Sequence, residues 1–261
     1  MFNIGKLLAC AGLMAALALP AAAQTYLTED TSYDFRARAG VSVDWKLAGG
    51  LTLSAGEELR FKDNVSSFSK SYTDIGLSYK FGKHFKAGAD YTFIYGNDIR
   101  HRADVFATGM LRAGRWKLSL REKFVLTHRT GEFNVYQQPV NALDLRSRFK
   151  AAYDIPRSHI EPYGFCEIRN TLNAVKYSGT TAATMSYSDV YINRVRTGLG
   201  FEWGLSRHGA LDFYGLADYN YRKKYDAYGP SAKKHDYGDL KSVTYCPAWN
   251  FTIGVAYRFI F

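Results

Sequence analysis

The chain has 261 residues, a formal net charge of +10 and 16% aromatic residues, among them 20 tyrosines and 17 phenylalanines. Three cysteines are too few for a disulfide framework, and the spacing of Cys166 and Cys246 does not match a metal site. No tract rich in lysine and arginine accompanies the positive charge, so the composition gives no specific indication of nucleic-acid binding.

The first residues have the organisation of a secretory signal peptide. A short basic start precedes the apolar stretch LLACAGLMAALALP, which is too short to span a bilayer, and Ala21 and Ala23 form an A-x-A cleavage site. The sequence therefore predicts a cleaved signal peptide over residues 1–23 and an exported domain over residues 24–261. The apolar stretch continues beyond Cys10, which argues against a lipoprotein signal there.

Apolar and polar residues alternate through most of the mature chain, which is typical of strands with one apolar and one polar face. Glu57 falls on the apolar face, which indicates either a β-bulge or a different register. No segment has helical periodicity, so the predicted class is all-β. The alternation predicts eleven strands, over residues 34–47, 51–61, 72–81, 85–95, 101–113, 116–128, 143–153, 161–171, 191–203, 211–221 and 247–261.

Three features favour a membrane barrel over a soluble two-domain β protein, which is the alternative. Tight links follow the odd strands and longer links the even ones, as in outer-membrane barrels with short periplasmic turns and long extracellular loops. The apolar face carries more large side chains than the lumen of a small barrel holds. Aromatic residues also gather near the strand ends, where they suit the membrane interfaces. The candidate rim residues are Trp45, Tyr95, Trp116, Trp203 and Trp249.

Eleven predicted strands are an odd number, which leaves one membrane-spanning strand to be assigned. If the tight turns are periplasmic and both chain ends lie in the periplasm, the strand count must be even. We therefore predict a transmembrane antiparallel up-and-down barrel of about 12 strands. Residues 25–34 form the twelfth strand or, alternatively, thread the lumen.

Several segments of the mature chain resemble the domain of unknown function 2490 family. The resemblance implies an outer-membrane barrel, chiefly of Bacteroidetes-type bacteria, without an established activity. The closing strand, with Tyr257, Phe259 and Phe261, also resembles the signal by which the barrel-assembly machinery recognises its clients. The segments are EELRF (57–61), YTDIGLSYKF (72–81), AGADYTFIY (87–95), DLRSRFKAAYDI with HIEPYGFCEI (144–168), NRVRTGLGFEW (193–203) and AYRFIF at the end.

The polar face of the predicted strands carries an excess of positive charge and would line the lumen. Two interpretations remain open. Cross-strand ion pairs fill and stiffen a narrow barrel, or rows of arginine bias a small pore toward anions. The candidate lumen residues are Arg36, Arg38, Arg60, Arg121, Arg146, Arg148, Arg194 and Arg196.

Support for catalysis is weak. His101 and His128 lie near the outer ends of adjacent strands, but Asp98 and Ser119 are not placed to complete a triad. No phosphate-binding loop, metal-spaced cluster or calcium-binding loop occurs in the sequence, so no cofactor is expected. The other histidines lie in predicted turns or in a lysine-rich loop: His84, His159, His208 and His235.

The last predicted loop, residues 222–246, combines four tyrosines with Lys223, Lys224, Lys233 and Lys234. It is either a solvated loop or a contact surface for lipopolysaccharide phosphates or glycans. We predict a non-catalytic monomer in the outer membrane of a Gram-negative bacterium, with outer-membrane lipid and lipopolysaccharide as partners. The alternatives are an outer-membrane lipid or peptide hydrolase and a loop-mediated adhesion protein.

Overall fold

A computed structural model describes residues 26–131, 134–178, 184–227 and 240–261 of the chain. The predicted signal peptide lies outside these ranges. None of the described residues belongs to a helix long and apolar enough to cross a membrane. The strands are β1 (Tyr26–Thr28), β2 (Ser32–Ala48), β3 (Leu51–Lys62), β4 (Ser67–Phe81), β5 (Phe85–Gly96), β6 (Ile99–Ala113), β7 (Trp116–Thr130), β8 (Asn141–Tyr153), β9 (Ile160–Ser178), β10 (Thr184–Ser206), β11 (Gly209–Ala227) and β12 (Leu240–Ile260).

Strands β2 to β12 form a closed barrel. Consecutive strands pair antiparallel, and β12 closes the barrel by pairing in parallel with β2, where Phe251 lies opposite Phe35. In a meander of eleven strands the first and last run in the same direction, so only a parallel pair closes it. The predicted all-β barrel and its eleven strands are confirmed.

The N-terminal segment does not form the twelfth barrel strand that was predicted from the even strand count. Strand β1 has three residues and pairs in parallel with Val243–Tyr245 of β12. The next part of β12, from Ala248 onward, pairs with β2. Strands β1 and β2 therefore lie one after the other along the same side of β12, and β1 is not an additional barrel strand. The expectation of an even number of crossings is wrong because the barrel closes through a parallel pair.

The barrel has two different ends. At the turn end, tight turns join β2 to β3, β4 to β5 and β6 to β7; the loop end is the opposite one, where β3 is joined to β4 and β5 to β6. At the turn end, Gly82 and Gly114 adopt left-handed φ values of 62° and 61°, which glycine accepts without steric cost. At the loop end, strands β9 to β12 have 19 to 23 residues, against 12 in β3 and β5. The β3–β4 and β5–β6 connections at the loop end are short, so the predicted lengthening of the links does not begin there.

Much of the sequence that was expected to form long loops is strand. Residues 172–178 extend β9 and residues 184–190 extend β10, while the predicted loop 222–246 contributes to β11 and β12. The pairing of β10 with β9 has three register shifts between Ser186 and Arg194. These irregularities interrupt the alternation of side chains, which explains why the sequence pattern ended too early.

The extended strands pack together at the loop end around a small apolar cluster. Tyr136, Val175, Tyr177, Met185 and Val243 form its buried part. The rings of Tyr177 and Tyr225 are 4.7 Å apart, and the Tyr225 hydroxyl donates a 2.7 Å hydrogen bond to the backbone carbonyl of Val175. The described parts of residues 222–246 are thus structured, not a solvated loop.

The barrel is apolar outside and polar inside. On β4, Ile75 and Leu77 are 52% and 47% exposed, whereas Glu167 and Asp218 are each 3% exposed. Soluble proteins bury the apolar residues instead and rarely expose large apolar patches.

Glu57 is on the outer face without a bulge or a register error. It pairs regularly with Val41 and Thr73, whose hydroxyl donates a 2.5 Å hydrogen bond to its carboxylate. This cross-strand bond gives the carboxylate a partner on the apolar face.

Candidate functional site

The candidate site is the lumen, where the polar faces of the strands meet. Tyr214 of β11 donates a 3.4 Å hydrogen bond to Glu58 of β3, although β12 and β2 lie between them. This contact identifies the interior face of the strands. The eight predicted arginines occupy that face: Arg36 and Arg38 on β2, Arg60 on β3, Arg121 on β7, Arg146 and Arg148 on β8, and Arg194 and Arg196 on β10.

Carboxylates of β9 and β11 bind arginines of β8 and β10 on one side of the lumen. Glu167 of β9 lies 2.5 Å from Arg148 and 3.2 Å from Arg194, on the two flanking strands. Arg196 donates to Asp218 through two bonds of 2.5 and 2.9 Å. Both side chains of the second pair are less than a tenth exposed, so each charge depends on the other.

Ion pairs elsewhere in the lumen have the same character. Glu58 lies 2.5 Å from Arg60 and 3.8 Å from Arg38. Lys123 of β7 contacts Asp104 on the neighbouring β6 at 2.6 Å and Asp90 on β5 at 2.8 Å. Because the contact between Lys123 and Asp90 passes over β6, these two side chains occupy the lumen itself.

Three arginines occupy neighbouring positions on adjacent strands of the lumen wall, with few carboxylates near them. Arg146 of β8 is directly opposite Arg169 of β9, and Arg169 is directly opposite Arg194 of β10. We call these three residues the arginine row. The buried Nε groups of Arg146 and Arg194 have no hydrogen-bond acceptor in the described part of the chain. Like charges in direct cross-strand positions repel, so the row is a local surplus of positive charge.

Sequence reasoning found two members of the row and missed the third. Arg169 donates a 2.5 Å hydrogen bond to Asn193 of β10. Its strand alternates less regularly than the others, and no second arginine lies two positions away, as Arg148 does from Arg146. Arg169 is identified by the register of β9 with β8 and β10, which places the three arginines at the same height in the barrel.

A comparison with protein families gives one match. The model of the family described as Protein of unknown function (DUF2490) matches residues 35–229, which is most of the chain. The chain belongs to the DUF2490 family. The match begins in β2 and continues past the end of β11. A search of curated proteins found no match.

Aromatic residues of this DUF2490 barrel lie at both ends, as the sequence indicated. Trp45, Trp116 and Trp203 are close to the turn end and 43–49% exposed. Tyr95 and Trp249 lie toward the loop end, where the Trp249 ring is 5.1 Å from that of Tyr219.

The spacing of the rims fits the thickness of a membrane. Tyr33 and Trp45 lie on the outer face of β2, twelve positions apart. At ~3.3 Å per residue and a tilt of ~40°, they are separated by about 30 Å along the barrel axis. The apolar band of outer-membrane barrels is ~25 Å tall.

The histidine pair considered for catalysis is on the outer face. His101 and His128 are directly opposite on β6 and β7, which confirms that they approach one another. His101 Nδ1 lies 2.6 Å from the Tyr91 hydroxyl, and His128 Nδ1 lies 2.8 Å from Asn141 Oδ1. Each imidazole thus has a polar neighbour from an adjacent strand.

The structure does not bring Asp98 or Ser119 to these histidines, in agreement with the sequence analysis. Ser119 lies toward the turn end of β7, and Asp98 is bound by Arg100 at 2.5 Å and Lys70 at 2.7 Å. Partial burial raises the pKa of Asp98, but the hydrogen bonds from Arg100 and Lys70 outweigh it and lower the pKa to about 2. The Asp98 carboxylate is therefore committed to its ion pairs.

The two cysteines outside the signal region are free in the DUF2490 barrel. Cys166 is exposed in the middle of β9, and Cys246 lies within β12 opposite Arg222 instead of at a loop edge. In the described ranges, no group of three or more histidine, cysteine, aspartate or glutamate side chains is suited to hold a metal ion.

Proposed function

We propose that the protein is an integral outer-membrane barrel of a Gram-negative bacterium, without catalytic activity. The observation that carries this proposal is the inverted distribution of polarity. Ile253 of β12 is 55% exposed, whereas Asp104 of β6 is 4% exposed. A lipid environment satisfies both, because it covers the apolar face and leaves the polar face to the lumen.

The closing strand supports the same location. Tyr257, Phe259 and Phe261 follow one another on one face, with the first two rings 4.6 Å apart and the last two 6.5 Å apart. We propose that this strand is recognised by the barrel-assembly machinery. In this proposal the mature barrel is a monomer that contacts outer-membrane lipid and lipopolysaccharide.

For the lumen we propose a structural, ion-paired interior and not an open aqueous channel. Glu58, Glu167 and Asp218 each engage arginine side chains, and Lys123 reaches over a strand to Asp90. A second candidate is slow passage of small anions. The arginine row favours it, because unpaired guanidinium donors attract anions from either end.

Two measurements test the proposal. The full chain, expressed in a Gram-negative host, should fractionate with the outer membrane and migrate faster on unheated than on heated denaturing gels, as a folded barrel does. Recovery as a soluble periplasmic protein would contradict the membrane location. The refolded barrel in a planar bilayer with a salt gradient distinguishes the lumen states. Silence supports the structural interior, steady anion-selective openings support the second candidate, and large non-selective openings contradict both.

A further inference from the structure

A polar cavity of about 410 Å³ lies at the loop-end mouth of the barrel. Small-molecule sites commonly enclose ~300–1,000 Å³. The cavity is bounded by the inner face of β2, β11 and β12 and by the β3–β4 turn. The side chains that matter here belong to Asp34, Arg36, Asn64, Asn220, Arg222 and Asn250.

Asn250 supplies an amide to this cavity. The residue is 5% exposed, sits between Asp218 of β11 and Asp34 of β2, and lines the cavity. A primary amide offers two donors and an acceptor. An amide in the cavity lining suits a ligand that both accepts and donates hydrogen bonds.

The formal charge of the cavity lining is zero. Arg36 and Arg222 are balanced by Asp34 and Asp63, and Arg36 is already held by Asp34 at 2.5 Å. The mouth thus differs from the arginine row, where positive charge is in surplus. A neutral polar ligand fits this lining better than an oxyanion, because an anion would face two carboxylates.

Saccharides have the chemistry that matches such a lining. Each hydroxyl of a sugar donates one hydrogen bond and accepts others, so a sugar ring needs a mixture of donors and acceptors around it. Asn220 and Asn250 provide both, Arg222 provides donors, and Asp34 provides an acceptor. Arg222 is exposed and forms no ion pair with the described residues, so its guanidinium is available to the ligand.

We propose that this cavity binds a neutral saccharide unit, with Asn250 at its base and Arg222 at its entrance. Two sources share this chemistry: a sugar in solution and the core sugars of lipopolysaccharide. The site does not depend on whether the lumen conducts ions, so a silent barrel leaves the proposal intact.

The test uses the refolded full-length barrel in detergent and saturation-transfer NMR. The probes are glucose, galactose, N-acetylglucosamine, a lipid-free core oligosaccharide and inorganic phosphate. The variants are Asn250→Leu, which keeps the side-chain volume, and Arg222→Gln, which alters an exposed side chain and should not affect folding. The matched controls are Asn141→Leu on the outer face and Arg207→Gln at the turn end.

The expected result is saturation of at least one sugar probe, with an affinity about tenfold weaker in Asn250→Leu, the loss expected for two neutral hydrogen bonds. Arg222→Gln should weaken binding severalfold, and both controls should bind like the native chain. Binding of a free hexose assigns the solution source, and binding of the core oligosaccharide alone assigns the lipopolysaccharide source. Binding of phosphate alone, of no probe, or of sugars equally by all variants would overturn the proposal.

Discussion

Arg196 and Asp218 form a buried ion pair joined by two hydrogen bonds between β10 and β11. Asp218→Asn removes the negative charge and leaves the guanidinium without its main partner. We expect the free energy of unfolding to fall by about 3 kcal/mol, since breaking a buried pair strands the other charge. Urea titration of the folded barrel in detergent micelles measures this.

The matched control is an exposed pair at the turn end. Arg112 and Asp154 lie 2.9 Å apart, with side chains 62% and 48% exposed. Asp154→Asn should cost about 0.5 kcal/mol or less, because solvent screens exposed pairs. Equal losses in the two variants would contradict a structural role for the lumen network.

The arginine row predicts that fewer charges give a more stable barrel. Replacing Arg146 and Arg194 with glutamine removes two like-charge contacts with Arg169. Glu167 loses Arg194 but keeps Arg148 at 2.5 Å, so its carboxylate stays paired. We expect the free energy of unfolding to rise by about 0.5–1 kcal/mol. If the native lumen passes anions, the same double variant should lose most of its anion preference, measured as reversal potential in a salt gradient.

Arg112→Gln is the control for this double variant, because it removes a charge from the turn end only. It should leave both the reversal potential and the stability close to native. A loss of stability in the double variant would contradict the predicted repulsion, because it would mean that protein groups already neutralise the charges of the arginine row.

Cys166 reports whether the outer face meets lipid. Its thiol is exposed in mid-β9, opposite Phe149 and Thr197. In liposomes, a membrane-permeant apolar maleimide should label it, whereas a charged impermeant maleimide should not. Ser158→Cys in a Cys166→Ala background places a thiol in a turn-end connection, where both reagents should react. Rapid labelling of Cys166 by the charged reagent in intact liposomes would argue against the membrane proposal.

Asp98 makes stability depend on pH at the loop end. Its pKa in the folded protein is about 2, below the unfolded value of ~3.9. The lowered pKa means that the ion pairs with Lys70 and Arg100 stabilise the fold fully above about pH 4. Their contribution decreases as the pH falls below about 4 and is lost as it falls through 2. Asp98→Asn should cost about 1 kcal/mol at pH 6 and almost nothing at about pH 1, measured by unfolding titrations. A cost that is independent of pH would contradict the assignment.

The apolar cluster at the loop end should stabilise the extended ends of β11 and β12 and not the rest of the barrel. Tyr225→Phe removes the hydroxyl that donates to Val175 but keeps the ring against Tyr177. Tyr225→Ala removes both. We expect hydrogen exchange of the β11 and β12 extensions to accelerate modestly in the first variant and strongly in the second, with no change in the amides of β5 and β6. Global loss of protection in Tyr225→Ala would show that the extension and the barrel unfold together.

Side-chain alternation was enough to predict most of the strands, their two faces and the class of the fold. Period-two alternation depends only on side-chain direction along a strand, so Arg146, Arg148 and Phe149 were assigned to their faces without a partner strand. The same alternation failed between Ser186 and Arg194, where register shifts break the period, and in residues 222–227, where polar residues occupy both faces.

Strand register and the closure of the barrel cannot be read from local sequence patterns. The parallel pairing of β2 with β12 sets the parity of the barrel, and no local pattern encodes it. Register alone places Arg169 between Arg146 and Arg194, and Asn250 beside Asp34 and Asp218. Such neighbours are far apart in the chain, and hydrogen bonding between whole strands brings them to one level. The sequence therefore supplied the charges of the lumen, and closure of the barrel determined which of them are paired.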